Sequence, residues 1–215
     1  MQIAIIGAGN VGRALATSLT RAGHDVTITA EHADHATEAA RLSGATAGTS
    51  NTSAAVDAEV VVFAVPAESI GQIAAAMGSS LDGKVVVDVT NRPTPTPDGS
   101  ATSIAEELQG QIPGAHVVKA FNTVFASRQA NPRLGGIALD GFVAGDDAAA
   151  KQTVLDVVES IGLRPVDAGT LDSARTLEGM AWLNIQRAIT GGTWQDAWVL
   201  VGPETLNSTD ADSRN

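Results

Sequence analysis

The chain begins with a short apolar run that ends in a glycine-rich turn. Residues 3–6 are Ile-Ala-Ile-Ile, and Gly7, Gly9 and Gly12 follow with the spacing Gly-x-Gly-x-x-Gly. The apolar run predicts a buried strand, and the spacing of small and apolar residues over 14–22 predicts a helix directly after the turn. A strand, a tight turn and a helix start in this order are typical of a nucleotide-binding βαβ unit.

Each glycine of this turn has a physical role in such a unit. Gly7 lets the chain leave the strand sharply, Gly9 lets the backbone approach a phosphate, and Gly12 lets the helix pack close to the strand. Unpaired N–H groups at the helix start then attract the anion. We therefore expect a dinucleotide pyrophosphate at this turn; the alternative is a glycine-rich turn that binds no ligand.

Apolar runs and helical patterns alternate along the rest of the chain. The predicted strands cover residues 3–6, 25–29, 59–65, 84–89, 116–121, 141–144 and 164–167. The predicted helices cover residues 10–22, 33–43, 67–78, 101–109 and 147–162. Because strands that are apolar on both faces are typical of a parallel sheet covered on both sides, the pattern predicts an α/β, doubly wound fold with a mostly parallel sheet.

The C-terminal part of the chain departs from this alternation. Helical spacing over 171–190 predicts one more helix, and 194–201 forms a second short amphipathic piece. The polar residues 203–215 predict a disordered tail. We expect a dinucleotide-binding domain over 1–168 and a helical segment over 169–202 that packs on the same domain.

Composition narrows the function classes. The net charge is −11, from 24 acidic and 13 basic residues, which repels nucleic acid and anionic membranes. The acid excess and scarce lysine fit either adaptation to a salty cytoplasm or an ordinary acidic surface. No apolar run approaches the ~20 residues of a membrane span, and we expect no signal peptide. The absence of cysteine excludes disulfides and thiolate catalysis, so we expect a cytoplasmic protein.

The end of the second predicted strand bears on the choice of cofactor. Ligands of open parallel sheets lie at the carboxyl ends of the strands. Glu31 is placed to accept hydrogen bonds from ribose hydroxyls, as in NAD binding, and to repel the 2′-phosphate of NADP. Protonated His32 and His35 would contact such a phosphate; otherwise they belong to a solvated helix start. These residues by themselves favour NAD.

Small and polar residues follow three other predicted strands. The first of these strands ends in residues without long side chains, namely Ala64, Val65 and Pro66. They leave room for ribose and nicotinamide, or serve packing alone. Asn91 and Asn122 lie at strand ends, and Lys119 meets either an anionic ligand or a surface acid. We interpret Asp88 as a buried, hydrogen-bonded structural acid.

No catalytic residue can be assigned from these patterns. Neither a Ser/His/Asp triad nor a cluster of metal ligands has a recognisable spacing. Without an acid–base pair, hydride transfer between two cofactor rings is favoured, because the protein then supplies mainly position.

The ordered set of motifs resembles a known family. The matching stretches run from residue 3 to about 185 and read IAIIGAGNVGRALA, VVVFAVP, VVDVTN, PGAHVVKAFNT, GFVAGDD and RPVDAGTLDSARTLEGMAWLNI. In this order they resemble the NADPH-dependent oxidoreductases of the deazaflavin coenzyme F420 and the dinucleotide-binding domains related to them. The resemblance implies a Rossmann fold with extra strands and a C-terminal helical part beside the nicotinamide.

The resemblance also assigns residues to the cofactor. The pyrophosphate loop of the family corresponds here to Ala8, Gly9, Asn10 and Val11. Its 2′-phosphate site corresponds to Ala30, Glu31 and His35. The family normally has a serine, an arginine and a lysine at that site, and this chain lacks the serine and the arginine. Ala120 corresponds to a residue under the nicotinamide. NADP and NAD therefore both stay open as the cofactor.

The resemblance implies an NAD(P)H-dependent oxidoreductase that transfers hydride between nicotinamide and an acceptor ring. That ring is deazaflavin F420, or a flavin as in the similar cytoplasmic domains of membrane metalloreductases. The alternatives are a small-substrate dehydrogenase or imine reductase, and a non-catalytic dinucleotide-binding module. We expect the proline-rich residues 93–97 at the pocket rim. Exposed apolar side chains over 194–200 predict a homodimer.

Overall fold

The computed structural model describes residues 1–92 and 102–202. The proline-rich rim expected at 93–97 and the tail expected at 203–215 lie outside these residues. The strands are β1 Gln2–Ile6, β2 Asp25–Thr29, β3 Thr46–Ala47, β4 Val60–Phe63, β5 Val85–Asp88, β6 His116–Ala120, β7 Arg133–Leu134, β8 Ile137–Ala138, β9 Asp140–Gly145 and β10 Arg164–Asp167. The helices are α1 Asn10–Arg21, α2 Ala33–Ser43, α3 Asn51–Asp57, α4 Ala67–Met77, α5 Ile104–Gln111, α6 Ala126–Gln129, α7 Ala148–Ser160 and α8 Ala174–Ile189.

Eight of the strands form one sheet, in the order β10-β9-β6-β5-β4-β1-β2-β3. All neighbouring pairs from β3 to β6 are parallel, β9 is antiparallel to β6, and β10 is parallel to β9. The strand order reverses between β1 and β4, and such a switch point opens a crevice at the carboxyl ends of the strands. The predicted doubly wound, mostly parallel fold is confirmed.

Alternating strand residues supply two core layers, one on each face of the sheet. Ile3 and Ile5 of β1 pack in the layer that includes Leu15 of α1 and Val154 of α7. Ala4 and Ile6 pack in the layer that contains residues of α4 and α5. Because β1 is buried on both faces, its sequence lacks the polar alternation of a half-exposed strand.

Side-chain caps set the starts of α5 and α7. Asp147 accepts a hydrogen bond from the backbone N–H of Ala150 at 2.8 Å and thereby caps the start of α7. Ser103 and Glu106 form a reciprocal capping box at the start of α5. This helix therefore begins at 104 instead of the predicted 101.

The amphipathic piece at 194–201 does not form a helix in the structure. Gly191, at φ +107°, follows the end of α8, and the chain continues in an irregular path. Its backbone instead bonds to other parts of the molecule: the Trp198 carbonyl accepts from Asp140 N at 3.1 Å, and the Trp194 carbonyl from Ser127 Oγ at 2.6 Å. These external partners replace the hydrogen bonds that a helix would make within itself.

Candidate active site

A cleft of about 870 Å³ lies at the switch point of the sheet. Its walls come from the glycine turn after β1, the end of β2, the start of α3 and the turn from β4 into α4. Predicted site residues in the lining are Gly7, Ala8, Gly9, Ala30, Glu31, His35, Ala64, Val65 and Pro66. The glycine turn and the ends of the second and fourth strands thus meet in one place.

The three glycines of the turn differ in what surrounds them. Gly7 has φ +114°, and a Cβ there would lie 2.3 Å from the carbonyl oxygen of Ala64. A Cβ on Gly12 would lie 1.9 Å from the carbonyl oxygen of Gly7. A Cβ on Gly9, in contrast, would meet no atom of the described residues within 4 Å. Gly7 and Gly12 are therefore required by the fold, whereas the space in front of Gly9 is open to a ligand.

The start of α1 is suited to an anion. Gly9 is its N-cap residue, no side chain caps the helix, and its first turn contains no acid. The first N–H groups of a helix lack partners within it and carry a partial positive charge. A pyrophosphate fits here without competition from the protein. Asn10 is exposed, and its Oδ1 accepts a hydrogen bond from Arg13 Nη2 at 3.0 Å; neither Asn10 nor Val11 lines the cleft.

The end of β2 places polar side chains in the cleft. Glu31 is exposed there, and the His32 and His35 rings lie edge to face with centroids 5.4 Å apart. Asn51 also lines the cleft, and its Oδ1 accepts a hydrogen bond from Thr29 Oγ1 at 2.7 Å. Sequence reasoning missed Asn51 because α3 is too short to show helical periodicity. The serine cap that starts α3 is the signal that could have indicated it.

The ends of β5 and β6 lie beside the cleft, and the predicted residues there do not line it. Asn122 Nδ2 donates to Asn91 Oδ1 at 2.9 Å, which ties the two strand ends together. Ala120 is fully buried, and Phe121 after it has φ +61°, unlike every other non-glycine residue in the described ranges. Oδ1 of Asn122 and Oγ1 of Thr123 are buried and have no hydrogen-bond partner within residues 1–92 and 102–202. Such atoms at a strand end suggest contact with water or a ligand.

Lys119 corrects both interpretations of this residue, since it is neither a surface residue nor a cleft residue. Its side chain is fully buried, and its Nζ lies 2.8 Å from Asp88 Oδ2, 3.0 Å from Glu178 Oε1 and 2.6 Å from the Thr90 carbonyl oxygen. Oδ1 of Asp88 also accepts hydrogen bonds from the backbone and side chain of Thr90. Asp88 is therefore a hydrogen-bonded structural acid, as interpreted from the sequence.

Glu178 attaches α8 to the sheet, and sequence reasoning missed it. It occupies the buried face of α8, between Ala174 and Ala181 at helical spacing. An acid on a mostly apolar helix face is the signal that could have indicated a buried partner. Its Oε1 also accepts a hydrogen bond from Ile104 N at 2.9 Å, so one carboxylate joins α8, β6 and α5.

A second ion pair connects α8 and α5 nearer the surface. Arg175 Nε donates to Glu106 Oε2 at 2.8 Å, and Arg175 Nη2 donates to the other carboxylate oxygen. This hydrogen bonding to Arg175, with help from Ser103, lowers the pKa of Glu106 to about 2. The carboxylate therefore stays ionised well into the acidic range.

Two further features bear on the kind of site. Among the described residues, no group of three or more His, Asp or Glu side chains could hold a metal ion. Within the same residues, every helix is too short or too polar to cross a membrane.

Comparisons with known proteins agree with this geometry. The family model for coenzyme F420-dependent NADP oxidoreductases matches residues 2–92, which include the glycine turn and the ends of β2, β4 and β5. A solved structure from Arthrobacter sp. FB24, described as a candidate F420-dependent NADP reductase, superimposes with a TM-score of 0.82. The two sequences are 30% identical, and the match covers 94% of this chain and 100% of that one.

The chain belongs to the F420-dependent NADP oxidoreductase family.

Two curated relatives show the range of proteins that share this domain. The F420-dependent NADP reductase of Methanothermobacter marburgensis is 29% identical over 202 residues, which cover 83% of this chain and 88% of that protein. The metalloreductase STEAP3 of Rattus norvegicus is 32% identical over 180 residues, which cover 83% of this chain. The match spans only 36% of STEAP3. The family predicted from the motifs is thus confirmed.

Proposed function

We propose that this chain is an oxidoreductase that uses a nicotinamide dinucleotide, NADP or NAD, and transfers hydride to or from a deazaflavin F420 or flavin ring. The observation that supports it most is the open space at Gly9. Protein atoms fill the space at the other two glycines, Gly7 and Gly12. The helix that begins after Gly9 has no side-chain cap, and its first N–H groups are available to a pyrophosphate. The names of two relatives contain two of these cofactors, NADP and F420.

The dinucleotide extends in two directions from the glycine turn in this proposal. Its adenosine half lies toward Ala30, Glu31 and His35 at the end of β2. Its nicotinamide half lies past Ala64, Val65 and Pro66 at the end of β4. Because neighbouring strands lie about 4.8 Å apart, the end of β6 is roughly 10 Å further along the sheet edge.

The acceptor ring lies near the ends of β5 and β6. Asn91, Ala120 and Asn122 belong to this region, and two buried oxygens there, on Asn122 and Thr123, lack a hydrogen-bond partner among the described residues. When both rings are bound, the nicotinamide supplies or receives the hydride and the second ring does the opposite. The residues of the chain bind and align the rings and exclude water; no acid–base residue is required of them.

A direct test measures the absorbance of NADH and NADPH with F420, with FMN, with a cyclic imine and without acceptor. We expect oxidation with F420 or FMN and none with the imine or without acceptor. Turnover with the imine alone would favour the reductase alternative. Dinucleotide binding without any turnover would favour a non-catalytic binding module.

We also propose a homodimer. The apolar side chains of Leu183 and Ile189 on α8, and of Trp194 and Leu200 after it, are between 51% and 63% exposed. Burial of such side chains against a second copy is favourable. Light scattering should give twice the monomer mass of 21.8 kDa, and a monomeric mass would contradict the proposal.

We also propose a cytoplasmic protein that binds no nucleic acid and is adapted to salt; the charge balance supports the last two points. With 24 acidic and 13 basic residues, the surface repels polyanions. Stability that rises steeply with KCl concentration would support salt adaptation. Stability that does not change with KCl concentration would indicate an ordinary acidic surface.

A further inference from the structure

The carboxylate of Glu31 has no hydrogen-bond or ion-pair partner in the part of the chain that the structure describes. Glu31 lies two residues after the end of β2 and lines the same cleft as Gly7 and Gly9. Within residues 1–92 and 102–202, its side chain takes part in no hydrogen bond or ion pair. A full negative charge at this edge of the cleft is therefore available to whatever binds there.

Nearby cations do not offset this charge. Within the described part of the chain, the cleft lining contains no lysine or arginine. Arg13 Nη2 donates to Asn10 Oδ1 at 3.0 Å, and Arg41 makes two hydrogen bonds of 2.8 Å to Glu38 on the exposed face of α2. Both arginines therefore have other partners outside the cleft.

A 2′-phosphate at the end of β2 would meet an unfavourable set of groups. It would lie against the Glu31 carboxylate, with only the imidazoles of His32 and His35 to oppose the repulsion. Guanidinium and ammonium groups, which bind phosphate strongly, are missing from this set.

A ribose diol, in contrast, would find acceptors and a donor. A carboxylate accepts through both oxygens, so Glu31 can bind two neighbouring hydroxyls. Asn51 lies on the adjacent wall with its Oδ1 bound to Thr29 Oγ1, which leaves its amide N–H groups to donate within the cleft. The described groups match a free 2′-hydroxyl.

We propose that this chain takes NADH in preference to NADPH, with Glu31 as the residue that selects the unphosphorylated ribose. This inference rests on the proposed function, which requires a nicotinamide dinucleotide, and it departs from the NADP named for the family.

The proposal is tested by the equilibrium binding of NADH and NADPH in the absence of any acceptor. Nicotinamide fluorescence reports the binding. Wild-type protein is compared with Glu31→Gln, Glu31→Arg and the matched control Asp34→Asn, which removes a charge three residues away and outside the cleft. We expect wild-type protein to bind NADH at least about tenfold more tightly than NADPH. Glu31→Gln should reduce this ratio to within about threefold, Glu31→Arg should invert it, and Asp34→Asn should retain it.

Several outcomes would overturn the inference. Wild-type protein that binds NADPH as tightly as NADH excludes it, and so does an Asp34→Asn change as large as that of Glu31→Gln. Because Glu31 is exposed and has no partner among the residues that the structure describes, its variants should fold, and circular dichroism checks this.

A separate turnover assay distinguishes the inference from the proposed function. NADPH preference together with reduction of F420 or FMN would retain the function and exclude the inference. NADH preference without any turnover would retain the inference and exclude the proposed hydride transfer. Absence of binding by either dinucleotide would overturn both.

Discussion

The carboxyl edge of the sheet contains two regions that use polar side chains in opposite ways. Around β1, β2 and β4, the Glu31 carboxylate has no partner among the described residues, and the space in front of Gly9 is open. Around β5 and β6, Asp88 and Glu178 both bind Lys119, and all three side chains are almost completely excluded from solvent. We call the first region the cleft and the second the buried charge cluster.

The difference follows from solvent exposure. An unpaired charge inside the protein costs several kcal/mol, so groups of the buried charge cluster must find partners within the chain. In the cleft, water satisfies the same kinds of groups until a ligand replaces it. We therefore expect substitutions in the cluster to change stability and substitutions in the cleft to change binding.

Lys119→Met should produce the largest effect. It leaves Asp88 and Glu178 buried without a cation, and we expect the free energy of unfolding to fall by about 3–5 kcal/mol. Urea unfolding followed by circular dichroism measures it.

Two further variants make the Lys119 result interpretable. Lys119→Met combined with Glu178→Gln removes one unpaired charge and should recover part of the loss. Lys151→Met disrupts a pair whose acid, Asp167, is half exposed, and should cost about 1 kcal/mol or less. Equal losses for Lys119→Met and Lys151→Met would show that burial does not separate these pairs.

Gly9→Val should affect binding and leave stability nearly unchanged. The new side chain enters space that no protein atom occupies, and Gly9 has an extended backbone at φ −73° that valine can adopt. We expect dinucleotide affinity to fall about 100-fold, while the loss of a glycine N-cap costs no more than about 1 kcal/mol.

Gly9→Ala provides the graded comparison for this prediction. A single methyl group should reduce affinity less than valine does, because it occupies less of the space left for the pyrophosphate. If Gly9→Val bound the dinucleotide as tightly as wild-type protein, the dinucleotide would not bind at the glycine turn.

The contrast between these regions also explains what sequence could predict. The glycine turn, Glu31 and the small residues after β4 were predicted because their roles depend on local backbone geometry, which a short motif encodes. Gly7 and Gly9 of the turn, Glu31 and the small residues 64–66 line the cleft, whereas Gly12 does not. β2 and β10 were predicted with their observed bounds, since unbroken apolar or alternating runs specify strands locally.

The buried charge cluster could not be predicted in the same way. Lys119 and Glu178 are 59 residues apart, so their pairing depends on how α8 packs on the sheet. Residues 194–201 were misjudged for a related reason: their backbone bonds to α6 and β9, and local amphipathicity does not encode such distant partners. Asn51 was missed because a helix of seven residues has too few turns to show a period.

Acidification should weaken the attachment of α8 through Glu106. Its pKa of about 2 lies below the ordinary value of 4.5, so its contribution to stability is complete above about pH 4.5 and is lost as the pH falls toward 2. The full shift would correspond to about 3 kcal/mol, but Arg175 is half exposed, and we expect about 1–1.5 kcal/mol.

The pH dependence is best measured as a difference between two proteins. Urea unfolding of wild-type protein and Glu106→Gln at pH 6, 4 and 3 should show a gap that narrows as the pH falls. Other carboxylates titrate in both proteins and cancel in the difference. A gap that is constant over this range would show that the Arg175 pair does not contribute through ionisation.

Glu38→Gln should have the smallest effect, although it lies on α2 close to the cleft. Glu38 and Arg41 are both more than half exposed, and exposed pairs contribute little because water and salt screen them. The hydrogen bond from Arg41 lowers the pKa of Glu38, yet we expect a change in melting temperature of no more than about one degree.

The variant also releases Arg41, so NADPH affinity reports whether that guanidinium reaches the cleft. We expect unchanged affinity, because Arg41 does not line the cleft. Tighter NADPH binding by Glu38→Gln would show that Arg41, once released from Glu38, contacts the bound cofactor. The Glu38–Arg41 pair would then affect cofactor binding and would not be a surface pair alone.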